Sequence, residues 1–312
     1  MAWFFVVLGL VTLLLAGDFL VRAAVNLALR LGISALVVSL TVVAFGTSAP
    51  ELLIVLSAMA DDAPGLAMGN IVGSNTANIL LVLGLPALVA GLYTTGFDTK
   101  KVFIFMILAT VLFIILAFMG PFSWWHGGLM LAVLAAILLD QAWTARRVSR
   151  VALATEDLNG VDTAIPGWKI TLYLLFGLVG LPLGAKVLVV NAEIIAREFG
   201  VPETAIGLTL IAVGTSLPEL ATTTVAAIRR QADVALGNVI GSNMFNLLAI
   251  IGIAALVGPI PVADEFLRFD LWVMLAASFL LIPFVFFGRN ITRIWGAALT
   301  LLYMAYLLVV LL

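Results

Sequence analysis

Two glutamates, Glu51 and Glu219, lie 168 positions apart in the same seven-residue setting, and each sits inside a long apolar run. Gly46-Thr47-Ser48-Ala49-Pro50-Glu51-Leu52 returns as Gly214-Thr215-Ser216-Leu217-Pro218-Glu219-Leu220. A second phrase, Gly69-Asn70-Ile71-Val72-Gly73-Ser74-Asn75, returns at the same offset as Gly237-Asn238-Val239-Ile240-Gly241-Ser242-Asn243. Each copy is followed three residues later by another amide, Asn78 or Asn246. Polar and ionisable groups at membrane depth are expensive and mark function by default. A polar cassette duplicated at that depth points to a carrier built from two related halves.

The residue types define the chemistry. Pro50 lacks an N–H, and its ring clashes with the carbonyl four residues back, so the helix is expected to break near Gly46 and free carbonyls from Ala44 to Thr47. Thr47 and Glu51 are one turn apart and share a face. Pro218 does the same for Ala212, Thr215 and Glu219. The second phrase adds neutral oxygens from Ser74 and Asn78 and from Ser242 and Asn246. Ser48 and Ser216 point about 100° away from their threonine neighbours, at the margin of the set. Two carboxylates with amides, hydroxyls and carbonyls make an all-oxygen ligand set suited to a hard divalent cation. Calcium accepts about six to eight oxygens in a flexible cage, whereas magnesium asks for a tighter octahedron. Sodium uses similar oxygens and can compete. A transition metal would ask for imidazole or thiolate, and the chain has one histidine and no cysteine. Two bare carboxylates are costly to occlude in low dielectric, so a carrier of this kind should close only when loaded. That favours obligatory exchange with alternating access over uniport, a channel or an intramembrane enzyme, and no catalytic residue or cofactor is expected.

The elements that position these residues are membrane helices. Hydrophobic residues make up 64% of the chain and charged residues 10%, with a mean hydropathy of +1.25. Such a composition excludes a soluble globular protein. Ten apolar spans are expected, near 3–24, 33–59, 66–91, 101–119, 125–145, 169–196, 203–228, 234–258, 269–287 and 293–311. The fold class is an all-α polytopic membrane protein. A first five-helix repeat occupies 1–145, a linker 146–168 and a second repeat 169–312. A duplicated unit with five crossings must insert upside down relative to its twin. Charge agrees. With the N-terminus outside, Arg30, Lys100, Lys101, Arg146, Arg147, Arg150, Lys169, Arg229, Arg230, Arg289 and Arg293 collect inside, against Arg197 and Arg268 outside. Basic residues accumulate on the cytoplasmic side. Both termini are thus expected outside a cell membrane, with lipid and cations as partners and neither nucleic acid nor an obligatory protein partner.

The duplicated G-T-S-x-P-E and G-N-x-x-G-S-N-x-x-N phrases resemble the α-repeats of the cation/Ca²⁺ exchanger superfamily, and in particular its prokaryotic Na⁺/Ca²⁺ exchangers. The resemblance spans essentially the whole chain. It implies that Glu51 and Glu219 are shared Ca²⁺ and Na⁺ ligands and that Thr47 and Thr215 contribute backbone and side-chain oxygens. It further implies that the Ala44 and Ala212 carbonyls, with Ser74, Asn78, Ser242 and Asn246, complete four adjacent cation sites. The first and sixth helices would be the mobile pair. Proton-coupled relatives carry glutamate where this chain has Gly73 and Gly241, which argues against H⁺ exchange. Some prokaryotic and K⁺-dependent relatives carry aspartate at the position of Asn246, which argues against K⁺ co-transport.

Other intramembrane polar residues carry separate expectations. Asp18 and Arg22, one turn apart, should pair. Asp18 and Lys186 are equivalent under the 168-residue offset and could link the first and sixth helices, though snorkelling to the interface is the preferred account. Trp124-Trp125-His126 reads as an interfacial anchor with a solvated histidine, and Asp61-Asp62 as a solvated turn.

Overall fold

The computed structural model describes residues 1–94, 99–148, 165–200 and 212–311. Ten helical segments account for nearly all of them: α1 (Ala2–Leu31), α2 (Ala35–Ala60), α3 (Pro64–Ala90), α4 (Lys100–Phe118) and α5 (Trp124–Val148), then α6 (Gly167–Glu198), α7 (Leu217–Ile228, with a preceding turn Ala212–Thr215), α8 (Ala232–Val257), α9 (Phe266–Phe286) and α10 (Arg293–Leu311). Nine of these are long and apolar enough to cross a bilayer. The tenth expected span is 203–228. Its first part, 203–211, lies outside the described residues, as does 149–164 of the linker. The first helix outruns its expected end at 24. It continues to Leu31, where Gly32 takes a left-handed conformation at φ 66°, the usual way for a helix to stop.

Inversion of the two halves is visible in one helix pair. The helices α1 and α6 contain 30 and 32 residues. At ~45 Å each they exceed a hydrocarbon layer of ~30 Å and must cross it tilted. They pack along their lengths through small residues. Gly9 meets Gly184 and Leu188, Ala16 meets Gly180, Leu20 meets Gly177, and Arg30 lies over Gly167. Facing numbers fall on one helix as they rise on the other, so the pair is antiparallel. Since α1 and α6 are equivalents in the repeat, the repeats are inverted.

The same relation recurs at the chain's short backbone bridges. Leu92 pairs with Ile291 (N···O 2.9 and 3.0 Å) and Phe122 with Ile260 (2.9 Å both ways), joining equivalent loops on opposite membrane faces. Asp62 and Arg230, again equivalents, both adopt positive φ (54° and 58°) where the second and seventh helices end.

Around the cassettes the core is tightly packed. Gly237 and Gly241 of α8 lie against the α2 backbone, and Ser39 Oγ donates to Val234 O at 2.6 Å. A Cβ on Gly241 would sit 2.5 Å from Leu40 O and 2.6 Å from Ala44 Cβ. Close helix approach through small residues is how membrane helices associate without a hydrophobic driving force. These glycines therefore do pack, whatever else their phrase does.

Two peripheral expectations need correction. His126 is buried, 3% exposed, not solvated. Its Nδ1 accepts the Ser123 N–H at 3.0 Å, which satisfies a free donor at the start of α5. Trp124 and Trp125 remain exposed beside it. Asp18 does pair with Arg22 (2.9 Å), but its second partner is Arg229 at the end of α7, and Lys186 is not involved. The antiparallel packing explains this, because it sets residue 18 and residue 186 at different depths.

Gly241→Val should destabilise the protein by ~1–3 kcal/mol through overpacking against α2. The melting temperature in detergent should fall accordingly. Gly128→Ala, where an added Cβ meets nothing within 4 Å, should leave it unchanged or slightly higher.

Candidate ion-binding site

Both α2 and α7 break just ahead of their prolines, at Ser48 and Ser216, two residues past the position expected from Gly46. Ser48 (φ −82°, ψ 1°) and Ser216 (φ −85°, ψ 4°) leave the helical region, and a new helix starts directly after each with proline in its first turn. Proline is well suited to that position, where its missing N–H costs nothing. Glu51 and Glu219 therefore stand at fresh helix N-termini, where unpaired N–H groups favour negative charge. In α3 and α8 the second phrase runs into π-helical stretches, Asn78–Val82 and Phe245–Ile250. Equivalent widening in both repeats re-aims the side chains there and is frequent at functional sites. A further π stretch, Ser39–Val43, precedes the first glutamate phrase.

These four elements meet at the centre of the molecule around a local two-fold relation. Asn75 Nδ2 donates to Asn243 O (3.2 Å), and Asn243 Nδ2 donates to Asn75 O (3.3 Å). Asn78 Nδ2 donates to Asn243 Oδ1 and Asn246 Nδ2 to Asn75 Oδ1, both at 3.0 Å. Each bond has its image in the other repeat. The consequence is orientational. With their NH₂ groups held across the axis, Asn78 and Asn246 must turn their carbonyl oxygens the other way. Asn75 and Asn243 thus position ligand candidates without having been singled out as candidates themselves. Their presence at both ends of the 168-residue offset was the available signal.

Around this axis the hydroxyls link the repeats. Thr47 Oγ1 lies 3.3 Å from Ala44 O, 3.2 Å from Asn238 Oδ1 and 3.4 Å from Ser242 Oγ. The image contact, Ser74 Oγ to Thr215 Oγ1, is 3.4 Å. Ser48 and Ser242 each reach Glu219 Oε1 at 3.4 Å, so Ser48 belongs to the cluster and not to its margin. The Ala44 carbonyl, expected to be freed, accepts from the Ser48 N–H at 3.0 Å, because the break falls at Ser48, past Gly46. Ala212 has its backbone in the turn that precedes Ser216.

One asymmetry has a clear cause. Asn238 Nδ2 donates to Thr223 Oγ1 (3.2 Å) and to Glu219 O (3.4 Å). The residue equivalent to Thr223 is Val55, which offers no acceptor, and Asn70 Nδ2 has no partner.

The set is buried and deficient in donors. Glu51, Glu219, Asn78, Asn246 and Ser242 are 0% exposed. Eight buried side-chain polar atoms among the described residues lack any hydrogen bond. Six of them are oxygens of this one cluster: Glu51 Oε1 and Oε2, Glu219 Oε2, Asn78 Oδ1, Asn246 Oδ1 and Ser216 Oγ. An unsatisfied buried polar atom costs ~1–3 kcal/mol, and more when charged. No lysine or arginine of the described residues pairs with either glutamate. Among the described residues no three of His, Cys, Asp and Glu come together either, so neutral oxygens supply the rest of the set. A cavity of about 180 Å3 adjoins the cluster, lined by Thr215 and Gly214 together with Pro50, Ile54, Ala185 and Lys186.

The chain matches the sodium/calcium exchanger protein family over residues 1–143 and 169–312. It is 36% identical over 310 residues to the putative antiporter CaxA of Alkalimonas amylolytica, covering 98% of this chain and 97% of that one. It is 34% identical to the sodium/calcium exchanger MaX1 of Methanosarcina acetivorans, covering 97% and 96%. Among solved structures it resembles the sodium-calcium exchanger NCX_Mj soaked with 10 mM Na⁺ and 10 mM Sr²⁺, with a TM-score of 0.83 at 29% identity over 98% of this chain and 97% of that one. With its inverted ten-helix fold and its buried oxygen cluster, this multi-pass membrane protein belongs to the sodium/calcium exchanger family of cation/Ca²⁺ antiporters.

Proposed function

We propose that the chain exchanges Na⁺ for Ca²⁺ by alternating access. Glu51 and Glu219 are its charged ligands, and the Asn78, Asn246, Thr47, Thr215, Ser74 and Ser242 oxygens complete the coordination. The observation that carries this reading is the group of six buried oxygens, drawn in part from both carboxylates, that make no hydrogen bond with the described residues. A divalent cation satisfies and neutralises such a group in one step, and several monovalent cations do so together. Two net negative charges without any load resist occlusion in low dielectric, which couples outward and inward movement to ion binding.

Sodium is favoured as the coupling ion by three features. The relatives MaX1 and NCX_Mj are named sodium/calcium exchangers. Gly73 and Gly241 put no titratable group in the second phrase. Asn246 donates to Asn75 Oδ1, a bond that an ionised aspartate could not make. The membrane is a prokaryotic plasma membrane with both termini outside, in keeping with the excess of basic residues on the opposite face.

In proteoliposomes, an outward Na⁺ gradient should drive ⁴⁵Ca²⁺ uptake, and neither a pH gradient nor K⁺ should replace it. Uptake driven by protons alone would overturn the coupling assignment, and Ca²⁺ flux without a counter-ion would make the protein a channel. Glu51→Gln and Glu219→Gln should each abolish exchange in protein that still elutes as a folded species. Near-normal flux in either variant removes that glutamate from the site. Asn75→Ala frees the Asn246 amide to rotate, and apparent Ca²⁺ affinity should weaken by ~10–100-fold, the usual scale for groups that orient a metal ligand. Unchanged affinity would mean that the cross-axis amides serve packing alone.

A further inference from the structure

One ion pair in this structure has an image that is not formed. Asp18 on α1 pairs with Arg229, which caps the end of α7. Under the 168-residue offset Asp18 corresponds to Lys186 on α6, and Arg229 corresponds to Asp61, which caps the end of α2. The image pair is again acid and base, with the signs exchanged. Two unrelated positions would not be expected to stay complementary while both reverse sign.

The surroundings of the two pairs differ in the same sense. Beside Asp18, helix α1 packs closely on α7, with Gly17 set against the Ala221 and Thr222 backbone. The equivalent residues, Ala185 and Ile54, do not pack in this way. They face the cavity of about 180 Å3 that reaches Thr215, and Lys186 lines it too. Lys186 is exposed and has no ion pair among the described residues, and Asp61 receives only a hydrogen bond from Ser57 at 3.5 Å. The protein is therefore closed where α1 meets α7 and parted where α6 meets α2.

In a carrier made of inverted repeats, the two access states exchange the conformations of the two halves. A contact present in one state then has its image in the other. We propose that Asp18–Arg229 and Lys186–Asp61 are alternating latches. The first holds α1 on α7 while the site communicates with the N-terminal face. The second forms between α6 and α2 when the site communicates with the opposite face. The sign reversal has a physical reason. Arg229 lies on the face that collects basic residues and Asp61 on the other, so each latch keeps its fixed partner compatible with the topology. Arg229 and Asp61 cap helix ends, and the Arg229 and Asp18 side chains stay 30% and 25% exposed, so water can reach the charges as they separate and re-form during transport.

The inference rests on alternating access as read above, but its test contains no ion gradient and does not depend on the coupling ion. The natural chain has no cysteine, so Ile54→Cys serves as a single reporter inside the cavity between α2 and α6. Its rate of labelling by a charged maleimide reads how far the N-terminal side is open. In that background Arg229→Gln, which leaves the Asp18–Arg22 pair intact, should slow labelling several-fold. Lys186→Met and, independently, Asp61→Asn should each speed it several-fold. Asp61→Lys combined with Lys186→Asp rebuilds the second pair with exchanged signs and should restore the parental rate. Rates that move in the same direction for both latches, or that do not move, overturn the proposal and leave Lys186 as a snorkelling side chain. Loss of Na⁺-driven flux with the opposed labelling shifts intact would instead count against the ion assignment.

Discussion

Two carboxylates buried at the centre of a membrane protein, paired with no basic side chain among the described residues, set the terms for everything around them. Ionised glutamate in such a medium is stable only when countercharge and ligands are supplied together. The local architecture answers this need by gathering oxygens inward with few donors among them. Proline-initiated helices give each glutamate a favourable N-terminal field. The π-helical stretches turn the two amides toward the centre. The cross-axis hydrogen bonds then occupy the amide NH₂ groups, so that the carbonyl oxygens of Asn78 and Asn246 are left without a hydrogen bond. Irregular backbone at this depth is tolerable because it is buried in protein or lines the cavity beside Thr215.

Under the alternating access proposed above, inverted duplication converts that local arrangement into a device with two orientations. Bonds near the axis, between Asn75 and Asn243, look the same from either half and need not change as the halves exchange roles. Contacts far from the axis do differ. Gly17 packs on Ala221 and Thr222, whereas Ala185 and Ile54 border a cavity. Within the site itself, Glu219 receives two serine hydroxyls while both oxygens of Glu51 and the Ser216 hydroxyl are without partners. Sequence divergence contributes a fixed asymmetry as well, since Thr223 steadies Asn238 and Val55 cannot do the same for Asn70.

Much of this was legible in the residues because the duplication repeats every polar requirement twice. Proline two residues after Ser48 and Ser216 foretold the breaks, and five crossings per half foretold the inversion. What could not be read depends on contacts between elements distant in sequence, or on local geometry that residue types do not mark. Asn75 and Asn243 look like two more amides in a motif until the axis brings them together. The π-helical stretches leave no compositional mark. His126 reads as solvated beside two tryptophans, because nothing in the residue types tells that its ring folds back onto the Ser123 N–H. Asp18 and Lys186 are equivalent in sequence yet stand at different depths, because equivalent helices run antiparallel. Equivalence predicted the symmetry of contacts, not the contacts themselves.

The central claim is that one buried oxygen cluster serves both cations. Equilibrium binding of ⁴⁵Ca²⁺ to the purified protein, titrated with Na⁺, tests it most directly. Na⁺ should displace Ca²⁺ fully and with a Hill slope above one, since more than one monovalent ion is needed to neutralise Glu51 and Glu219. Ca²⁺ binding indifferent to Na⁺, while remaining sensitive to Glu51→Gln, would contradict the account.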